Sequence, residues 1–133
     1  MAKVLCVDDD LSILHLYQDE LSGEGYEVIL AKDEKEAMTK FEKESPHVVV
    51  MDIRIPLKNV FETLTAMLNK DSQIPVILNT YPAYQENFMN RGAEAQVIKS
   101  SDLTELKKKS RQALAKRKKL LKPCLHNEQL KGV

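Results

Sequence analysis

Residues 48–56 read VVVMDIRIP, in which the apolar run from Val48 to Met51 passes unbroken into Asp52. A strand with one wet face alternates apolar and polar residues. A continuous apolar run marks a strand covered on both faces, the signature of a parallel sheet. The carboxylate that closes the run therefore stands where a buried strand reaches the rim of such a sheet.

The same pattern recurs in KVLCV (3–7), YEVILA (26–31), HVVVM (47–51), PVILN (75–79) and AQVI (95–98). Helical spacing fills the intervals. Leu11, Leu14, Tyr17 and Leu21 mark one face, and SGEGY (22–26) ends that helix. Ala37, Met38 and Phe41 mark a second helix, stopped by Pro46. Phe61, Leu64 and Leu68 mark a third. A short fourth runs from about Tyr84 to Arg91 and ends at Gly92. Leu103, Leu106, Ser110, Ala113 and Leu114 open a fifth, with Asp102 and Glu105 in a capping pattern. Five strand–helix units in a row predict an α/β sandwich around a parallel sheet with right-handed crossovers.

Bulk properties agree. The 133 residues suffice for one domain with a real core, and an apolar fraction of 43% beside a charged fraction of 30% is that of a globular protein. No apolar run approaches a membrane span. The N-terminus goes directly into a strand and then acids, so no signal peptide is expected. Cys6 and Cys124 have neither disulfide nor zinc spacing, which predicts reduced thiols in the cytoplasm. The net charge is zero, yet residues 1–98 carry 9 Lys+Arg against 17 Asp+Glu, whereas residues 99–133 carry 11 against 3. The acidic body gives no reason to expect nucleic-acid binding.

In parallel α/β sheets, ligands bind outside the carboxyl ends of the strands, beside the switch point. Strand one ends in Asp8, Asp9 and Asp10, strand three in Asp52, strand four in Asn79 and Thr80, and strand five in Lys99. If the strand order is 2-1-3-4-5, Asp8, Asp9 and Asp52 converge. Asp10 is the expected cap of the first helix. Clustered carboxylates repel unless a cation joins them. Mg2+ suits the cluster because it takes one or two carboxylates and leaves positions for phosphate oxygens. Lys99 adds a positive charge and Thr80 a hydroxyl. Together they suit a phosphoryl group near Asp52, whose carboxylate can itself attack phosphorus.

KVLCVDDD, VVVMDIRIP, IPVILNT and VIKSSDL, in this order and spacing, resemble the motif blocks of the receiver domain of bacterial two-component response regulators, of the chemotaxis-regulator kind. The resemblance covers about residues 3–115. It implies a flavodoxin-like (βα)5 sandwich of sheet order 2-1-3-4-5. It implies that Asp52 is the phosphoacceptor, Asp9 a direct metal ligand, Asp8 its partner in the acidic pocket, and Arg54 the residue whose backbone carbonyl completes an Mg2+ site. Thr80 takes the place of the switch hydroxyl, and Lys99 that of the lysine pairing with the phosphoryl group. The donor it implies is a sensor histidine kinase or phosphotransfer protein. The output it implies is protein–protein interaction through the face of helix four, strand five and helix five, with a phosphorylation-linked homodimer as one form.

Four positions depart from the family pattern. Gln96 replaces an aromatic, so the readout of switching differs. Ser100 follows Lys99 in place of proline, and a trans bond is expected. Tyr81 is bulky where a small residue is usual. The stretch LKNV (57–60) lacks glycine, and Val60 resists positive φ, so this turn must differ.

The basic stretch KKKSRQALAKRKKLLKP (107–123) extends helix five toward Pro123. It reads as a solvated face over the sheet edge, with an acidic-partner surface, weak nucleic-acid contact or a linker to an effector domain as alternatives. The expected division is a receiver domain over 1–122 and a tail over 123–133, with no DNA-binding module after it. The expected function is a cytoplasmic Mg2+-dependent phosphoacceptor switch, not an enzyme. The rivals are a degenerate receiver that binds a partner without phosphorylation and a metal-dependent phosphohydrolase. The phosphohydrolases commonly carry a second acid two residues after the nucleophile, where this chain has Arg54.

Overall fold

A computed structural model of the chain describes residues 1–52, 57–80, 92–100 and 102–117, with the side chains of 57–59 excepted. The expected fourth helix, Ile53, Arg54, Pro56, Tyr81, Cys124 and the tail from residue 118 onward lie outside the described residues. The elements are β1 (Lys3–Val7), α1 (Leu11–Gly23), β2 (Glu27–Ala31), α2 (Glu34–Glu44), β3 (Val48–Asp52), α3 (Leu57–Lys70), β4 (Val76–Thr80) and β5 (Ala95–Ile98), followed by a C-terminal helix over 104–117. The sheet is parallel, as the strand runs predict, with the order β2-β1-β3-β4-β5 that the family resemblance implies.

Strand alternation divides the core into two layers. Leu5, Val7, Val49, Met51, Val76 and Leu78 pack against α2 and α3. Val4, Cys6, Val48, Val50, Ile77 and Val97 pack against α1 and the C-terminal helix. β3 is buried at every residue because both layers cover it, whereas the edge strand β2 is only partly buried. Burial also pushes the Cys6 thiol up, with the charge of Asp8 adding to the effect.

Helix starts follow local chemistry. Asp10 caps α1 by accepting the Ser12 N–H, and Asp33 caps α2 by accepting the Glu36 N–H. Asp102 accepts both the Thr104 N–H and its hydroxyl at the head of the C-terminal helix. α2 ends on Ser45 in the left-handed region at φ 48°, just before Pro46.

Three expectations need correction. Leu11 is 63% exposed, because the first residue of α1 projects past the rim rather than over the sheet. The buried face of α3 is centred on Val60, Leu64 and Met67, with Phe61 and Leu68 only partly buried at its flanks. The stretch 57–60 is not a turn: α3 already begins at Leu57, and Val60 is fully buried. A glycine is therefore not needed there.

The charge asymmetry of the sequence becomes internal complementarity. Lys107 pairs with Glu20 at 2.6 Å and Arg111 with Glu24 at 3.4 Å, tying the C-terminal helix to α1 and the turn after it. Lys116 pairs with Glu94 at 3.3 Å and Arg117 with Asp71 at 2.7 Å, beside the segments that lead into β5 and β4. Each such surface pair contributes about 0–1 kcal/mol. Their number favours the reading of a solvated helix face over the sheet.

Two substitutions test this packing. Ser110 is fully buried in the C-terminal helix and its hydroxyl has no hydrogen-bond partner. Ser110→Ala should raise the unfolding free energy by about 1 kcal/mol, read as a higher urea midpoint at constant m-value. Gly92 has φ 100°, and an added Cβ would lie 2.6 Å from Leu68 Cδ1. Gly92→Ala should cost roughly 1–3 kcal/mol in the same measurement.

Candidate functional site: an acidic pocket at the sheet rim

The order β2-β1-β3 reverses direction of travel at β1 and β3, so the ends of these two strands flank the switch point. Val7 lies in register with Met51, and the next residues, Asp8 and Asp52, both face the side of the sheet covered by α1. Asp9 joins them from the loop after β1. Carboxylate oxygens of Asp8, Asp9 and Asp52 lie within 4.8 Å of one another. Asp8 and Asp52 are buried and Asp9 is exposed, so the cluster opens to solvent through Asp9.

Lys99, one residue past β5, crosses to this cluster. Its Nζ lies 2.9 Å from Asp8 Oδ2 and 3.0 Å from Asp52 Oδ2, and its side chain is 9% exposed. The backbone holds it in place: the Lys99 N–H donates to the Thr80 carbonyl at 2.7 Å. Burial alone would pull the Lys99 ammonium down. Hydrogen bonds to Asp8 and Asp52, and then their charges, outweigh burial and hold it above its ordinary value of 10.5. Asp8 is fixed from its other oxygen, Oδ1, which accepts the Asp10 N–H at 2.9 Å. One acid thus orders the loop while its neighbour Asp10 caps α1.

Thr80 is buried at the end of β4, and its hydroxyl donates to the Val97 carbonyl at 3.4 Å. It stands at the rim as the sequence predicts, but the hydroxyl faces the backbone of β5. Gln96 occupies the middle of β5 and is half-buried. No cis peptide bond occurs among the described residues, so the bond before Ser100 is trans as expected. Arg54 and Tyr81 lie outside the described residues.

The sequence left one buried feature of this site without a role. Asn79, in register with Asp52 on the neighbouring strand, donates through Nδ2 to the Tyr17 hydroxyl of α1. Helical spacing puts Tyr17 on a core face and the strand pattern puts Asn79 at a strand end, and neither joins the two. An amide next to last in an otherwise aliphatic strand was the available signal.

A parallel 2-1-3-4-5 sheet between helical layers, with its polar groups gathered at the strand ends, is a flavodoxin-like α/β domain. Within that class, the chain belongs to the response regulator receiver domain family, which it matches over residues 4–111. It is 36% identical over 115 residues to the probable transcriptional regulator ycf27 of Cyanophora paradoxa, a match covering 84% of this chain and 48% of that one. The chain spans about half the length of the curated relatives it matches. It is similar to the response regulator TrrA of Thermotoga maritima in complex with Mg2+-BeF, with a TM-score of 0.77 and 33% identity over 86% of this chain and 100% of that one. Similarity to the structure of TrrA with the histidine kinase ThkA gives a TM-score of 0.76 and 33% identity, over 86% of this chain and 99% of that one. The chain is a signalling receiver domain of the two-component type. No described helix is long and apolar enough to cross a membrane.

Lys99→Met should lower stability by about 3 kcal/mol at pH 7, because it leaves two buried carboxylates without their cation. The sign with pH follows from linkage. A raised lysine value gives stability that is complete below 10.5 and lost as pH rises through the higher folded-state value. Urea titrations from pH 8 to pH 11 should show the wild type losing stability at the alkaline end, with this component absent from Lys99→Met.

Proposed function

We propose that this chain is a phosphoacceptor switch in which Asp52 takes a phosphoryl group from a sensor histidine kinase or phosphotransfer protein. The observation that carries the reading is the convergence of Asp8, Asp9 and Asp52 within 4.8 Å, bridged by the Lys99 ammonium. An Asp52 oxygen attacks phosphorus as the bond from phosphorus to the donor nitrogen breaks, and the electron pair leaves on the donor imidazole. Lys99 is placed to stabilise charge that grows on the transferring oxygens. Asp8 holds Lys99 against Asp52 and orders the loop that carries Asp9.

The donor set fits a hard divalent cation, since all three groups are carboxylate oxygens and one of them faces solvent. Asp8, Asp9, Asp52 and the Arg54 carbonyl are the proposed ligands, and Mg2+ is the proposed ion. When bound, Mg2+ supplies positive charge against the transferring oxygens. The Mg2+-BeF complex of TrrA supports this choice, and the ThkA–TrrA complex supports a histidine kinase as donor.

Thr80 is the proposed switch. Its long bond to the Val97 carbonyl is weak, and a phosphoryl oxygen is the stronger acceptor. The movement is read on the face around β5, where Gln96 stands, by a partner protein or a second copy of this chain. The chain acts as a stoichiometric acceptor in the cytoplasm rather than as a turnover enzyme. Its longer relatives named as transcriptional regulators support an output in transcription.

Incubation with Mg2+ and acetyl phosphate should add a phosphate-sized increment by intact mass, abolished by Asp52→Asn and by chelation of the metal. No increment from acetyl phosphate or from a competent kinase would instead favour a receiver that acts without phosphorylation.

A further inference from the structure

Asn79 and Tyr17 form a buried polar pair beside Asp52 that the phosphoacceptor reading does not use. Both are almost fully buried, at 3% and 2% exposure. Asn79 follows Ile77 by two residues and Asp52 follows Val50 by two, and Ile77 and Val50 share the layer under α1. Strand alternation therefore puts Asn79 and Asp52 on the same face. Their register match on adjacent strands leaves about one strand spacing, roughly 5 Å, between them. Tyr17 reaches the same place from α1, and its oxygen accepts the Asn79 amide N–H. The phenol proton remains available for donation. Burial, then the charges of Asp8, Cys6 and Asp52, push the tyrosine up, so the phenol keeps that proton at any working pH.

Packing gives no reason for this pair. The surrounding layer is aliphatic, and a leucine with a phenylalanine would fill a similar volume without desolvating an amide and a hydroxyl. A buried polar pair of this kind is worth its desolvation cost where orientation of a neighbour matters. The neighbour is the nucleophile.

We propose that Asn79, fixed by Tyr17, is a positioning residue for Asp52: the buried pair walls the carboxylate on the β4 side while Lys99 pairs with it from the β5 side. This rests on the phosphoacceptor reading. The two supports leave the carboxylate little freedom to rotate, which keeps one oxygen aimed at the incoming phosphorus. The pair also joins α1 to the residue directly before Thr80, so the nucleophile and the switch share one anchor.

The test uses Asn79→Leu, Tyr17→Phe and the double variant, with acetyl phosphate and Mg2+ and intact-mass readout. Loss of a positioning contact should slow phosphoryl uptake about tenfold in Asn79→Leu. Tyr17→Phe should slow it in the same direction, and the double variant no further than Asn79→Leu, since the two act as a unit. Each single variant leaves a buried polar partner unpaired and should lower the melting temperature, whereas the double variant should stay level or rise, and the Mg2+ concentration for half-maximal uptake should not move in any of them. A merely structural pair would instead leave the uptake rate of folded protein unchanged in all three variants, which overturns the proposal. Should Asn79→Leu not fold, Tyr17→Phe decides alone, because it removes a single oxygen. A wild type that takes up no phosphate defeats the phosphoacceptor reading itself. A competent wild type with unaltered variants defeats only the role of the pair.

Discussion

The contact between Lys99 and the two buried carboxylates governs the rest of this structure. Asp8 and Asp52 belong to adjacent strands and are almost wholly removed from water, with side chains 0% and 3% exposed. Two like charges so placed are tolerable only with a cation between them. The cation must come from an element that ends at the same rim but lies on the far side of β4. Parallel strands in the order 2-1-3-4-5 meet that need, because all five carboxyl ends face one way. An antiparallel edge would have sent Lys99 to the opposite end of the sheet. The bridge spans 91 positions of sequence, so it closes the domain as well as the site.

Much of this was legible because the signals are local and strong. Each strand is a short aliphatic run, and its end is announced by a change to polar residues, so Asp8, Asp52, Thr80 and Lys99 could be placed at one rim from pattern alone. The sheet order came from the family resemblance rather than from any run of residues. Asp10 was readable as a cap because a carboxylate before an apolar helical pattern has one common use. The errors fell where a face rather than an element had to be chosen. Leu11 fits the spacing of α1, yet the first turn overhangs the rim, and spacing does not say where the sheet stops. In α3 the apolar stripe is wide, and Val60, Phe61, Leu64, Met67 and Leu68 all compete for its centre. Only the contact with β3 and β4 chooses among them.

The Tyr17–Asn79 bond was beyond sequence for a different reason. It joins residues 62 positions apart and depends on the register of β3 with β4 and on the rotation of α1. A one-residue slip would turn Asn79 to the other layer. The hydroxyl direction of Thr80 is likewise a tertiary property: residue type offers a donor, and the nearest strand decides the acceptor. The basic C-terminal stretch could be counted but not assigned, since its partners Glu20, Glu24, Asp71 and Glu94 are spread along the acidic body.

On the proposed function, the same geometry bounds how strongly a phosphoryl group on Asp52 would move Thr80, the proposed switch. A modification shifts an equilibrium only by its differential contacts in the two states. In the present state the Thr80 hydroxyl makes a neutral bond of 3.4 Å to the Val97 carbonyl. Such a bond contributes about 0.5–1.5 kcal/mol, against roughly 1.5–3 for one to a charged acceptor. Exchanging one for the other is therefore worth about 1 kcal/mol, a shift of roughly fivefold. Lys99 adds little to this difference, because it is already bound to two carboxylates and would exchange one anion for another. On that reading a larger response would draw on β5, where the released Val97 carbonyl and the half-buried Gln96 stand. An aromatic at position 96 would answer by swinging into an apolar gap, whereas an amide answers only through hydrogen bonds. On the proposed reading, the readout is directional and polar, and a partner that recognises it presents a matching donor or acceptor along β5.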